Sequence, residues 1–289
     1  MAKAREIKKR IIAVTKTQKI TRTMEMVATS RLKRYQKVVF ASRPYSEALT
    51  DVLGGLITSP EAMAHPLMER RAEASKTAIL VLTANRGLCG AFNNNICKKS
   101  HLLYHEFSVR KMKVKLFVSG KKGISYFRHR DIEMAYQDTD LPEDQSLEKI
   151  REISRLLINE FLSGAVDQVH AAYCRFVTAG RQEVVTEQLL PLTVPTGLER
   201  EAVETDFIFE PSSAAIVDTL LPLFTQSTLY RMVVENVTSE QAARRVAMKL
   251  ATDNADEMIT YLTRQFNRER QSQITKELSE IVGGSEAIS

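Results

Sequence analysis

The sequence predicts an α/β chain in which long N- and C-terminal helices pair as an antiparallel coiled coil around a central βαβ (Rossmann-like) domain. Three observations predict it. Between Lys3 and about Leu53 the only Pro or Gly is Pro44. No Gly or Pro interrupts the sixty residues between Pro222 and Gly283. Between these two runs the text changes to β-branched apolar stretches separated by Gly, the punctuation of strands and turns.

In the N-terminal run, Ile7, Ile11 and Val14, then Ile20, Met24 and Val27, then Leu32, Tyr35 and Val38 recur at helical spacing. The step from Val14 to Ile20 breaks a strict heptad, so a partner helix is expected to follow this seam with drift. The C-terminal run at 1.5 Å per residue spans roughly 90 Å, wider than a compact domain of this size. Its stripe comprises Ala251, Ala255, Met258, Leu262 and Phe266, then Ile274, Leu278 and Ile281, and its alanines at 242, 243, 247, 251 and 255 allow close approach. Two helices with one stripe each bury those stripes most simply against each other. Single stripes bury little area, so in the lone chain both helix tips are expected to be poorly protected.

The centre opens with "TAILVLT" (77–83), a strand, then a Gly turn, a helix over 92–107 and a second strand, "VKLFVSG" (114–120). Strand, helix, strand implies a parallel sheet. "IEMAYQ" (132–137) reads as a third strand and "SLEKIREISRLLINEFLSG" (146–164) as an amphipathic helix stopped by Gly164. "DQVHAAYCRFVT" and "QEVVTEQLLPL" flank Ala179, Gly180 and Arg181 as an antiparallel hairpin. The expected domains are 1–57, a coiled-coil helix, 76–209, the α/β domain, and 212–286, the second coiled-coil helix.

The chain has 289 residues, a net charge of +6 and a pI near 9.2. The charge is local. Before Pro44 there are thirteen bases against Glu6 and Glu25, a net +11, which leaves −5 for the rest. So basic a segment points to an acidic partner for that segment alone. Cys89, Cys97 and Cys174 show no CxxC spacing and read as reduced, buried thiols of a cytosolic protein. No stretch approaches the ~20 apolar residues of a membrane span, and the first residues resemble neither a signal nor a Ser-rich transit peptide.

"ANRGLCGAFNNN" (84–95) sits where a strand turns into a helix, a place that can hold phosphate. Its spacing matches neither dinucleotide nor phosphate-loop fingerprints, so Gly87 and Gly90 are read as serving a tight turn, and no nucleotide or other cofactor is expected. Of the histidines only His101 and His105 share a helix face, which makes no metal site. No nucleophile elbow or comparable setting appears, so no catalytic residue is assigned. The basic helix leaves two readings, a nucleic-acid arm or a face for an acidic protein surface. Lys and Arg are interleaved with the apolar seam, whereas a zipper's basic region lies outside it, so the second reading is preferred and no nucleic acid is expected. A small α/β enzyme is the remaining alternative.

Three stretches resemble the gamma subunits of bacterial-type F-type ATP synthases: "TQKITRTMEMVATSRLKR" (17–34) with "SRPY" (42–45), "NRGLCGAFNNNI" (85–96), and "TSEQAARRVAMKLATDNADEMI" (238–259) with "NRERQSQITKELSEIVGG" (267–284). The likeness covers nearly the whole chain. Asn85 and Ala91 depart from it, since the family commonly has Asp and Gly there. The resemblance implies a non-catalytic rotor shaft that couples ion flow through the membrane to ATP synthesis or hydrolysis. Its implied partners are the alpha and beta subunits of the surrounding ring, the epsilon subunit and the membrane c-ring, and its implied place is the cytoplasmic face of the bacterial inner membrane. It also implies that Arg270 and Gln271 contact an acidic beta-subunit loop, and that Met24, Arg31, Lys33 and Arg34 run near the lower beta-subunit surface. No regulatory cysteine pair occurs around 193–209.

Overall fold

The computed structural model describes residues 2–56, 64–71, 74–142, 145–193 and 213–286. The expected boundaries at 57, 209 and 212, and most of the 193–209 stretch, lie outside them. The elements in chain order are α1 (Ala2–Leu56), β1 (Lys76–Leu82), α2 (Phe92–Val109), β2 (Lys113–Ser119), α3 (Lys121–Arg128), β3 (Tyr136–Asp138), α4 (Leu147–Leu162), β4 (Gln168–Phe176), β5 (Gln182–Leu190) and α5 (Ser213–Glu286). Two compact units divide the chain: residues 1–29 with 244–289, and residues 30–243.

The second unit holds a five-stranded sheet of order β3-β2-β1-β4-β5, in which only the β4–β5 pair is antiparallel. Strand alternation sends Leu80, Phe117, Val169 and Tyr173 to one face, where Ile153, Leu157 and Phe161 of α4, Leu229 and Met232 of α5, and Leu49 and Leu53 of α1 cover them. Ile79, Val81, Leu116 and Val118 point to the other face, under Phe92, Ile96 and Phe107 of α2 and Ile124 and Phe127 of α3. Helix α4 starts where the Ser146 hydroxyl accepts from Lys149 N at 3.3 Å, and Gly164 takes φ 73° just past its end.

Two elements differ from the sequence reading. The expected third strand over 132–137 is a strand only at Tyr136–Asp138: the chain turns through Asp131 at φ 53° just before this stretch and bonds to β2 from Ala135, whose N–H donates to Leu116 O at 2.8 Å. Helix α3 was not foreseen. Eight residues carry too short a pattern to read, and the helix exists because Gly123, with no Cβ, sits against the Thr83 hydroxyl, which accepts from Gly123 N at 2.9 Å.

In the first unit a series spaced by four and three runs along each helix. On α1 it passes through Ile7, Ile11, Val14, Gln18, Thr21, Glu25 and Ala28, with Ala4, Thr15 and Thr29 half-buried beside it. On α5 it passes through Arg245, Met248, Thr252, Ala255, Ile259, Leu262, Phe266, Glu269 and Gln273, with Arg244, Ala247 and Ala251 half-buried beside it. The expected drift is therefore absent from these positions: the heptad continues through polar residues, which an apolar count passes over. The Thr21 and Thr252 hydroxyls meet at 2.8 Å, Gln18 Nε2 donates to Asp256, and Lys3 Nζ lies 3.5 Å from Glu269.

Candidate functional site

The stripe expected to face inward over Ile20, Met24 and Val27 faces outward, with these side chains 56%, 38% and 49% exposed. Counting four and three from Val14 lands on Gln18, Thr21 and Glu25, so the inner seam is polar where the outer face is apolar. That count was the signal the apolar reading missed. Every described basic side chain of the N-terminal segment is exposed, Arg31, Lys33 and Arg34 among them on either side of buried Leu32. Helix α1 thus presents apolar and cationic groups together on its outside.

Arg270 and Gln271 are exposed and lie off the seam, which passes through Glu269 and Gln273. Gln271 is tied into α5 through its carbonyl, which accepts from the Thr275 hydroxyl at 3.0 Å, leaving its amide side chain on the exposed face. The expected inward set Ile274, Leu278 and Ile281 is exposed as well. The physical reason is length: α1 begins at Ala2, and Lys3 already meets Glu269, so α5 runs on past the start of its partner. The structure does not gather the predicted residues into one pocket. Met24 lies three residues past Thr21, which meets Thr252, and Arg270 follows Glu269, which meets Lys3, so the two levels are some twenty residues or roughly 30 Å apart along α1.

The other place to expect a ligand is the crevice where strand order reverses, beyond the carboxyl ends of β1 and β4. Here the turn after β1 uses its polar groups internally. Asn93 Oδ1 accepts from Ala84 N at 2.9 Å, and Asn93 Nδ2 reaches Arg86 O at 3.4 Å. Asn85 donates to Thr139 O at 2.7 Å and accepts from Lys121 N at 3.0 Å. An aspartate there would lose the donation, which is what the departure at Asn85 contributes. Ala91, at φ −84°, needs no glycine. On the β4 side, Phe176 and Ala179 pack on Leu32 of α1 and Ala242 of α5, so the chain's own helices cover this end of β4.

The described histidines, cysteines and carboxylates form no cluster able to hold a metal. Burial pushes the Cys97 thiol up to about 12, despite nearby Arg130, and Cys174 up to about 11, so neither is a nucleophile at neutral pH. Asp167 loses hydration, yet Arg71 and the backbone N–H groups of Ser75 and Lys76 hold its carboxyl below the usual range, a structural clamp at the opposite end of the sheet. No described helix is long and apolar enough to cross a membrane.

A family model described as ATP synthase matches residues 3–288. The chain is 43% identical over 288 residues to the ATP synthase gamma chain of Gemmatimonas aurantiaca, covering all of this chain and 99% of that one. It is 41% identical over 293 residues to that of Dehalococcoides mccartyi, with both chains covered in full. Its fold resembles a chain of the Euglena gracilis mitochondrial ATP synthase (OSCP/F1/c-ring) at TM-score 0.65 and 19% identity, covering 99% of this chain and 95% of that chain. A chain of the Tetrahymena thermophila central stalk and c-ring gives TM-score 0.62 and 22% identity over 80% of this chain and 99% of that chain.

Proposed function

The chain belongs to the ATP synthase gamma-chain family, and on that premise we propose how its surfaces work. It is the central stalk of the enzyme, the rotor that couples ion flow to ATP synthesis or hydrolysis, and it has no catalytic site of its own. We take residues 1–57 and 212–286 as the shaft and 76–209 as the foot. The shaft turns inside a ring of alpha and beta subunits; the foot rests on the c-ring beside the epsilon subunit, at the cytoplasmic face of a bacterial plasma membrane.

The observation that carries this reading is the inversion on α1: polar groups in the seam, with Ile20, Met24, Val27 and exposed bases outside. A rod that must pass successive subunits needs an outer surface able to touch each without settling in one. Isolated apolar side chains of this kind bury little area apiece, at about 25 cal/mol per Å², and exposed cations meet acidic loops reversibly. Each orientation of an asymmetric shaft then stabilises a different state of each catalytic site, through differential contact.

Arg270 and Gln271 are the contacts assigned to an acidic beta-subunit loop, and Met24, Arg31, Lys33 and Arg34 those assigned to the lower ring. Arg270 offers a planar fork for a carboxylate, with Gln271 beside it as donor and acceptor. A charge-assisted bond of about 1.5–3 kcal/mol, made chiefly in the rate-limiting state, corresponds to roughly ten- to hundredfold in turnover. Arg270→Ala is expected to lower ATP hydrolysis by the assembled complex within that range, with Arg270→Lys between. Unchanged turnover for Arg270→Ala at low salt would show that Arg270 is merely solvated surface.

A further inference from the structure

A rotor has to pass torque between its helices and its foot, and apolar packing is a poor way to do so. Burial is non-directional, so a helix that rolls on a greasy face loses little. Hydrogen bonds and ion pairs fix angle as well as distance. The place where α5 makes directional contacts with the sheet is therefore the place to look.

Strand β4 outruns β1. Their pairing ends at Val81 and Ala172, whereas β4 continues to Phe176 with only β5 beside it. On the edge that β1 has vacated, α5 takes over: the buried amide oxygen of Asn236 accepts from Cys174 N at 2.9 Å. Asn236 thus completes the sheet's own hydrogen bonding from a helix. Five residues earlier on α5, Arg231 donates to Glu187 Oε2 of β5 at 2.9 Å and to the hydroxyl of fully buried Tyr173 at 3.1 Å. Tyr173 itself donates to Glu187 Oε1 at 2.9 Å, and Arg175 pairs with the same oxygen. Residues five apart lie about 140° apart around a helix. Arg231 and Asn236 therefore grip α5 on two flanks, one against β5 and one against the free edge of β4, which opposes rolling in either direction.

Among the described residues, α1 shows no equivalent hydrogen bond or ion pair to Arg231. A cavity of about 440 Å³ is lined by Ser46 and Thr50 of α1 together with Gln188, Phe224 and Arg231. The nearby attachment of α1 is apolar, through Leu49 and Leu53.

We propose that Arg231 and Asn236 are the positioning residues that lock α5 to the sheet and carry torque between shaft and foot. This rests on the rotor reading above. Loss of the lock leaves the outer surface of the shaft untouched, so the ring goes on hydrolysing ATP while the foot lags under load.

The test uses the whole complex in sealed vesicles, with ATP hydrolysis and ion pumping measured together. In wild type the two must be coupled; if they are not, the rotor reading fails, separately from the lock. Each contact removed is expected to raise the undocked population by about tenfold. Arg231→Met with Asn236→Ala should keep hydrolysis within about twofold while pumping against a gradient falls several-fold. Arg231→Lys, which keeps charge but not the fork, should fall between. Ser239 is buried one turn after Asn236, which holds Cys174 N, so Ser239→Cys is added to the double variant and formation of a disulfide to Cys174 is verified by thiol titration. Oxidation should then restore pumping without raising hydrolysis, and reduction should abolish it again. The proposal is overturned if pumping and hydrolysis fall in proportion in the double variant or in Arg231→Lys, if pumping is unchanged, or if the formed disulfide does not restore it.

Discussion

The coiled-coil unit, residues 1–29 with 244–289, and the sheet unit, residues 30–243, use opposite means of holding together. The sheet unit buries continuous apolar layers on both faces of its strands, from Leu80 and Phe161 on one side to Ile79 and Phe127 on the other. The coiled-coil unit buries little: its middle is Thr21 against Thr252, with Ala28, Ala255 and Leu262 among its few buried apolar side chains. The difference teaches where each kind of stability is useful. Continuous apolar layers fix a shape by jigsaw packing, whereas a thin coiled-coil core leaves apolar side chains, Ile20 and Met24, on the outside.

The largest effects are expected in the sheet unit. Gly120 has φ 99°, and a Cβ there would lie 2.3 Å from the Thr83 carbonyl oxygen, so Gly120→Ala should destabilise the unit by at least about 3 kcal/mol. Phe161→Ala, which empties a site 1% exposed, should cost about 3–5 kcal/mol. Urea midpoints followed by circular dichroism measure both, and a loss under about 1 kcal/mol for Phe161→Ala would break the contrast.

A smaller effect depends on pH. Burial lowers the pKa of His170 from its ordinary 6.5, with Glu106 opposing, and its Nε2 has no partner among the described residues. Between the lowered folded value and 6.5 the unfolded chain binds more protons. Stability is therefore full above pH 6.5 and declines as pH falls below it, by up to about 1.4 kcal/mol per unit. His65, desolvated but near Asp218, shifts in the same direction. His170→Leu should flatten much of this slope between pH 7 and 5.5, and an unaltered slope would assign it elsewhere.

The smallest effect belongs to the seam. Thr21→Val with Thr252→Val replaces one polar layer by an apolar one and should stabilise the coiled coil by no more than about 1 kcal/mol. Hydrogen exchange of amides flanking residue 252 should slow by up to about fivefold. Faster exchange would mean that the hydroxyl pair, and not its volume, holds the helices in register.

Much of the fold was legible. Breaker-free runs announced both long helices, and β-branched runs, Gly stops and the Ala179–Arg181 turn placed four of the five strands near their observed positions. Helix α3 was not legible, because about two turns carry no readable period and its site depends on Thr83 from another element. For the site, the matched motifs named Arg270, Gln271 and Met24, and in the structure all three are exposed. Arg231 and Asn236 gave no signal at all, since a polar residue on a helix reads as solvated until the strand it touches is known.

The sequence by itself determined the long helices, four of the five strands and the family, because these are written in order along the chain: helix persistence is a local property, and the matching stretches are contiguous. Tertiary structure decided which stripe faced inward. Ile20, Met24 and Val27 have the same helical spacing as a true seam, and nothing local separates an apolar stripe meant for a partner from one meant for the chain's own second helix. Only pairing with α5 settles it, since Thr21 finds Thr252 and Gln18 finds Asp256 at positions 231 and 238 residues away. A buried polar group is stable when its partner is present, and that partner is supplied by the other end of the chain.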